Sequence, residues 1–98
     1  MKKINVLKLK FLKQIYPPNY YAGSESRLSS KQNVNLNKIV SDMINESQIY
    51  LDYDSIDAIS NCIDEFIRIA EDEIYTVSGY TQSELLEIKQ FLINCIND

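Results

Sequence analysis

Histidine and tryptophan are absent from this 98-residue chain, and glycine, proline and cysteine occur only twice each. Without histidine the commonest general base and metal ligand is missing. Cys62 and Cys95 therefore have no imidazole to activate them, and they form no CxxC pair of the kind used for zinc or redox chemistry. Each stands among apolar neighbours in a helical pattern, so buried, reduced thiols are expected in preference to a disulfide. Gly23 and Gly79 are isolated, and neither glycine-rich phosphate motif can be built from them. So few turn-forming residues also disfavour a strand-rich domain.

Long apolar runs are missing too. No uncharged stretch of about 18 residues occurs, which excludes a helical membrane span. Lys2 and Lys3 resemble the start of a secretory signal, but Lys8, Lys10 and Lys13 interrupt the apolar stretch that should follow. A cytoplasmic address is expected. Asp52, Asp54 and Asp57 look superficially like a calcium loop, yet its turn glycine and closing glutamate are missing. Acids on an exposed helix face are ordinarily solvated rather than catalytic. The chain reads as a binding protein, with no enzyme activity, metal or cofactor expected.

What is present is a single domain's worth of globular composition, 45% hydrophobic and 24% charged, with charge divided unevenly. Residues 1–38 hold eight basic residues against Glu25 alone, a net of +7; residues 39–98 hold Arg68 and Lys89 against thirteen carboxylates, a net of −11. Such asymmetry bears on partners and association rate, not on fold.

Residues 3–16 read as a helix through Ile4, Leu7, Phe11, Leu12 and Ile15, although Leu7 to Phe11 also alternates as a strand would. Pro17 and Pro18 end this element, and residues 17–33 form a long loop of the functional or disordered type, pinned in part by Tyr20 and Tyr21. Residues 35–47 make an amphipathic helix with Leu36, Ile39, Val40, Met43 and Ile44 on one face. Residues 49–53 read as an extended connector. A third helix runs from Asp54 or Ser55 to about Val77, burying Ile56, Ile59, Ile63, Phe66, Ile67 and Ala70 and turning Asp57, Ser60, Asn61, Asp64, Arg68, Glu71 and Asp72 outward. Gly79 ends it, and Thr81 with Glu84 forms a capping box for a last helix over 82–96. The apolar arc of that helix spans roughly 200° at about 100° per residue, which implies a central position or a dimer contact. The expected fold is an all-α bundle of about four helices, in one domain over 1–98, with a long 17–33 loop.

Carboxylates interleaved with tyrosines over residues 50–54, followed by the acidic helix face, suit recognition of a basic protein surface: acids steer the encounter and rings supply contact area. The candidate contact residues are Tyr50, Asp52, Tyr53, Asp54, Asp57, Asp64, Arg68, Glu71 and Tyr75. The bland alternative packs Tyr50 and Tyr53 on the core and leaves the acids merely solvated. The N-terminal lysines equally suit phosphate contacts or the wet face of the first element.

The stretch from Ser78 through Thr81 to Leu86, and the tyrosine-rich, acid-flanked residues 50–54, resemble segments of bacterial toxin-immunity proteins of the colicin or contact-dependent growth inhibition kind. In those proteins the capped helix comes first, whereas here it comes last. The resemblance implies a small acidic inhibitor that masks the active site of a basic, nuclease-type toxin. Two alternatives stand beside it: a homodimeric regulatory or nucleic-acid-binding protein, and an immunity factor at the inner membrane face.

Overall fold

The computed structural model describes residues 2–19 and 25–97. Strand β1 (Lys2–Asn5) leads through a 3-10 turn (Val6–Leu9) into a one-turn helix α1 (Leu12–Ile15). Helix α2 (Ser30–Asn45) is followed by strand β2 (Gln48–Leu51), helix α3 (Tyr53–Ala70), a second 3-10 turn (Glu71–Glu73), a short α4 (Ile74–Ser78) and α5 (Gln82–Asn97). Among the described residues this is a small, mostly helical bundle with one two-stranded antiparallel sheet.

Helix α3 lies at the centre, packed against α5, α2, α1 and α4. Ala58, Ile59, Cys62 and Ile63 are fully buried along it, and Ile56, Phe66 and Ala70 nearly so. Burying a side chain of the Ile or Phe class contributes about 1.5–3 kcal/mol, so this helix carries much of the core. Asp52 caps its start, accepting from the Ser55 amide at 2.8 Å, and the Ser55 hydroxyl donates to Asn35 Oδ1 at 3.1 Å, which ties α3 to α2. Both thiols are free; Cys62 is buried and Cys95 half-buried.

The N-terminal segment is neither a helix over 3–16 nor a strand over 7–11. Ile4 pairs across the sheet with Ile49, and Leu9, Phe11, Leu12 and Ile15 all turn inward. The chain reaches this arrangement through a strand, a 3-10 turn and a one-turn helix in succession. The Asn5 carboxamide accepts from the Leu7 amide at 2.9 Å and starts the 3-10 turn. As a result Leu7, expected in the core, is 73% exposed and Leu9 is fully buried.

The connector expected at 49–53 is a true strand in register with the N-terminus: Lys2 opposite Leu51, Lys3 opposite Tyr50, Ile4 opposite Ile49. Helix α2 begins five residues earlier than its apolar pattern suggests. Ser29 and Gln32 form a capping box, each side chain accepting from the other's amide at 3.1 Å, and this shortens the expected 17–33 loop. Ile44, expected on the apolar face, is exposed. Tyr20 and Tyr21 lie outside the described residues.

The expected helix over 54–77 breaks at Glu71. Run straight, it would measure about 36 Å at 1.5 Å per residue, longer than the molecule's 34 Å longest dimension. The chain turns at a run of three acids, where the negative end of the α3 dipole disfavours further helical carboxylates. Beyond the break Ile74 and Ser78 return to the core. The Thr81–Glu84 capping box forms as expected, at 3.0 and 3.1 Å, and Gly79 supplies the left-handed cap with φ 77°. Among the described side chains of α5 only Leu85 and Leu92 are completely buried; Leu86 and Phe91 are exposed, and α3, packed on several sides, is the central helix.

Glu71 adopts φ 40° and ψ −117°, a region that L side chains rarely occupy. Glu71→Gly is therefore expected to stabilise the fold by up to about 1 kcal/mol, raising the thermal midpoint by roughly 4–8 °C. Glu71→Val should lower it. Thermal unfolding followed by circular dichroism measures both.

Candidate functional site

Placed at about 100° per residue, Tyr53, Asp54, Asp57, Asn61, Asp64 and Arg68 fall within an arc of about 100° on α3. All are exposed except the half-buried Asn61. The expected acidic face therefore exists, and Tyr53 opens it at 66% exposure. Tyr75, on α4 past the break, is 62% exposed. Neither ring packs on the core, so the bland reading of Tyr53 fails.

The face is not uniformly free negative charge. Asp64 takes both oxygens to Lys89 of α5 at 2.8 and 2.9 Å, and Asp54 lies 3.9 Å from Lys31 of α2. Asp57 joins no ion pair among the described residues. The N-terminal lysines 2, 3, 8, 10 and 13 join none either, so among the described residues Lys31 is the one cation of the basic half that meets an acid of this face. Surface pairs of this exposure contribute about 0–1 kcal/mol each to stability, and Lys31 and Lys89 offset part of the negative charge of the face, which leaves Asp57 as its unpaired acid.

Arg68 has a different role from the one expected of it. Its guanidinium bonds Glu65 at 2.9 and 3.2 Å and donates to the Glu25 carbonyl at 2.9 Å, while Glu65 also accepts from the Arg27 amide. The pair fastens residues 25–27 across the flank of α3. Glu65, missed as a site residue, stands three positions before Arg68, a spacing at which helix neighbours meet. That signal was legible; the loop it holds was not.

Tyr50 and Asp52 belong to a second surface. They line an open groove of about 850 Å³ between α2 and β2, over a floor of Ile39 and Ile49. Lys3 reaches across from β1 and holds its ammonium 5.6 Å from the centre of the Tyr50 ring. Lys38 pairs with Asp42 along the α2 wall at 3.2 Å, and Glu46 stands at the α2 end. This groove is mixed in charge, because strand pairing carries a basic residue to the tyrosine that sequence alone placed among acids. Glu71 sits at the α3 terminus as its cap, at the far end of the acidic face and where the turn begins.

Several groups are held ionised or neutral by their surroundings. The Ser55 amide and hydroxyl hold the Asp52 carboxyl below its ordinary value, and the Arg68 hydrogen bond does the same for Glu65. The Thr81 amide and hydroxyl lower Glu84. Burial pushes the Cys62 thiol up to about 12, which keeps it an unreactive apolar filler. Among the described residues no three Cys, Asp or Glu side chains converge as metal ligands, and no helix is long and apolar enough to cross a membrane. The chemistry offered by the face and the groove is ion pairing, hydrogen bonding and aromatic contact.

Depressed carboxyl values contribute stability that is full above the unfolded values near 4 and is lost as pH falls through the folded ones. A raised thiol contributes stability that is full below its unfolded value near 8.5 and is lost as pH climbs toward the folded one. The thermal midpoint is expected to be flat between about pH 5 and 8 and to fall on both sides. Cys62→Ala should flatten the alkaline limb alone. Arg68→Ala should raise amide exchange at Arg27 and Leu28 with little change in global stability.

No family model matches the chain, and neither a curated protein nor a solved structure matches it.

Proposed function

We propose that the chain is a small binding protein of the immunity or antitoxin type, which neutralises a basic, nuclease-type protein toxin in the cytoplasm by covering its positively charged active site. The observation that carries this reading is the outward face of α3. It presents Asp54, Asp57 and Asp64 along one side, with exposed tyrosine rings at Tyr53 and, past its far end, at Tyr75. A basic protein surface is the partner such a face fits: acids speed the encounter, and rings bury large area at low conformational cost. The contact set is led by Tyr53, Asp54, Asp57 and Asp64, flanked by Glu71 and Tyr75, with Tyr50 and Asp52 on the adjoining groove. Arg68 contributes by ordering the edge of the face.

A second reading draws on another surface. Phe91 is exposed on α5 with the Lys8 ammonium 5.7 Å from its ring centre, and the other N-terminal lysines are unpaired among the described residues. That surface suits a homodimer or a phosphate-bearing partner. Retention on heparin and a mass that rises with concentration would favour it over the inhibitor.

Expression of the chain is expected to relieve the growth arrest caused by a basic protein encoded beside it, and the two should co-elute. Asp54→Lys combined with Asp57→Lys should slow their association at low salt by about tenfold and flatten its salt dependence. Helicity by circular dichroism should not change. Association at the unaltered rate rejects the α3 face.

A further inference from the structure

The two-stranded sheet has an open side that faces the groove. Val6 donates its amide to the Ser47 carbonyl at 3.0 Å, one step beyond the paired strands and in the same register. Bonded pairs alternate along an antiparallel ladder. Ile4–Ile49 and Lys2–Leu51 are then the bonded pairs, and the main-chain amides and carbonyls of Gln48 and Tyr50 point away from β1. Among the described residues these groups have no protein partner. They border the 850 Å³ groove, whose far wall is α2 and whose floor is apolar. An unpaired edge beside an apolar groove is a template for one more strand.

Charge at its two ends decides which strand. Glu46 and Asp52 flank β2, both in extended backbone, both exposed and both lining the groove with Gln48 and Tyr50. Lys38 is paired with Asp42 and Lys31 lies 3.9 Å from Asp54, while Lys3 keeps its charge over the Tyr50 ring midway along the strand; of the three acids that line the groove, Glu46 and Asp52 are the two that join no ion pair among the described residues. A second copy of the chain is disfavoured in the register that overlaps residues 46–52 of both edges in full. In the two-fold pairing that bonds Gln48 to Tyr50 of the second copy, Glu46 of each copy would face Asp52 of the other, a like-charge pair at both ends. A segment with cationic side chains six positions apart places them opposite the same two acids.

We propose that the β2 edge receives an extended segment of a basic protein, bonded to the main chain of Gln48 and Tyr50 and held at its ends by Glu46 and Asp52. This rests on the reading of a basic partner and adds a second contact to the α3 face.

The probe is a blocked seven-residue peptide of alternating valine and threonine with lysine at each end, added to the full chain and followed by amide exchange and shifts in nuclear magnetic resonance. Protection of the Gln48 and Tyr50 amides on saturation supports the edge. Glutamate in place of both lysines, or N-methylation of the edge-facing peptide amides, should weaken binding at least about tenfold. Glu46→Lys should remove the preference for the lysine-ended peptide at that end. No protection at roughly millimolar peptide, or equal binding of the N-methylated form, overturns the proposal. So does protection that rises with protein concentration alone, which would assign the edge to a second copy. If the edge fails while association of the basic partner still depends on Asp54 and Asp57, the α3 reading survives; if that dependence fails while the peptide still binds, only the α3 face is lost.

Discussion

The burial of α3 on several sides at once is the constraint on which the rest of the molecule depends. A helix with ten buried positions needs neighbours on most of its circumference, and α5, α2, α1 and α4 supply them. The one arc left to water is the arc without apolar residues, so the packing that stabilises the fold also decides which side chains can meet a partner. Asp54, Asp57 and Asp64 are outward because Ile59, Ile63 and Phe66 are inward. Ser60, expected outward from its place in the helix, stands just beyond that arc and is buried.

The same packing organises the charge. A chain with a net of +7 in its first 38 residues and −11 in the remainder might be expected to fold back and neutralise itself. It does so only at the margins. Lys31 meets Asp54 across a helix seam and Lys38 meets Asp42 within α2, while the lysines of the N-terminal strand and turns join no ion pair among the described residues. The sheet is the place where the two halves meet most closely. There Lys3 stands opposite Tyr50, and the groove beside them is of mixed sign. The α3 face and the groove are therefore separate surfaces with different chemistry: one gathers acids around exposed rings, the other combines an open strand edge with two terminal carboxylates.

Local pattern was sufficient wherever one element's own residues decide its state. The Thr81–Glu84 box, the Gly79 stop, the inward stripe of α3 and its outward acids were all legible, since capping and 3.6-residue periodicity are properties of neighbours in sequence. The Ser29–Gln32 box was equally local and was missed because the apolar pattern that draws the eye starts only at Leu36. The end of α3 was not legible, because nothing in the periodicity stops before Val77.

The amino acids in order thus determined a small helical domain, the position of its last cap, and the acid and tyrosine content of the face that most resembles a binding surface. Tertiary structure decided that Ile49 and Tyr50 form a strand, because a strand exists only when another lies beside it, and that partner, residues 2–5, is more than forty positions away. It also decided that Arg68 fastens a loop and that Lys3 shares a groove with Tyr50. Pairing across such separations leaves no periodic trace in either segment, and its energy appears only when the chain has closed.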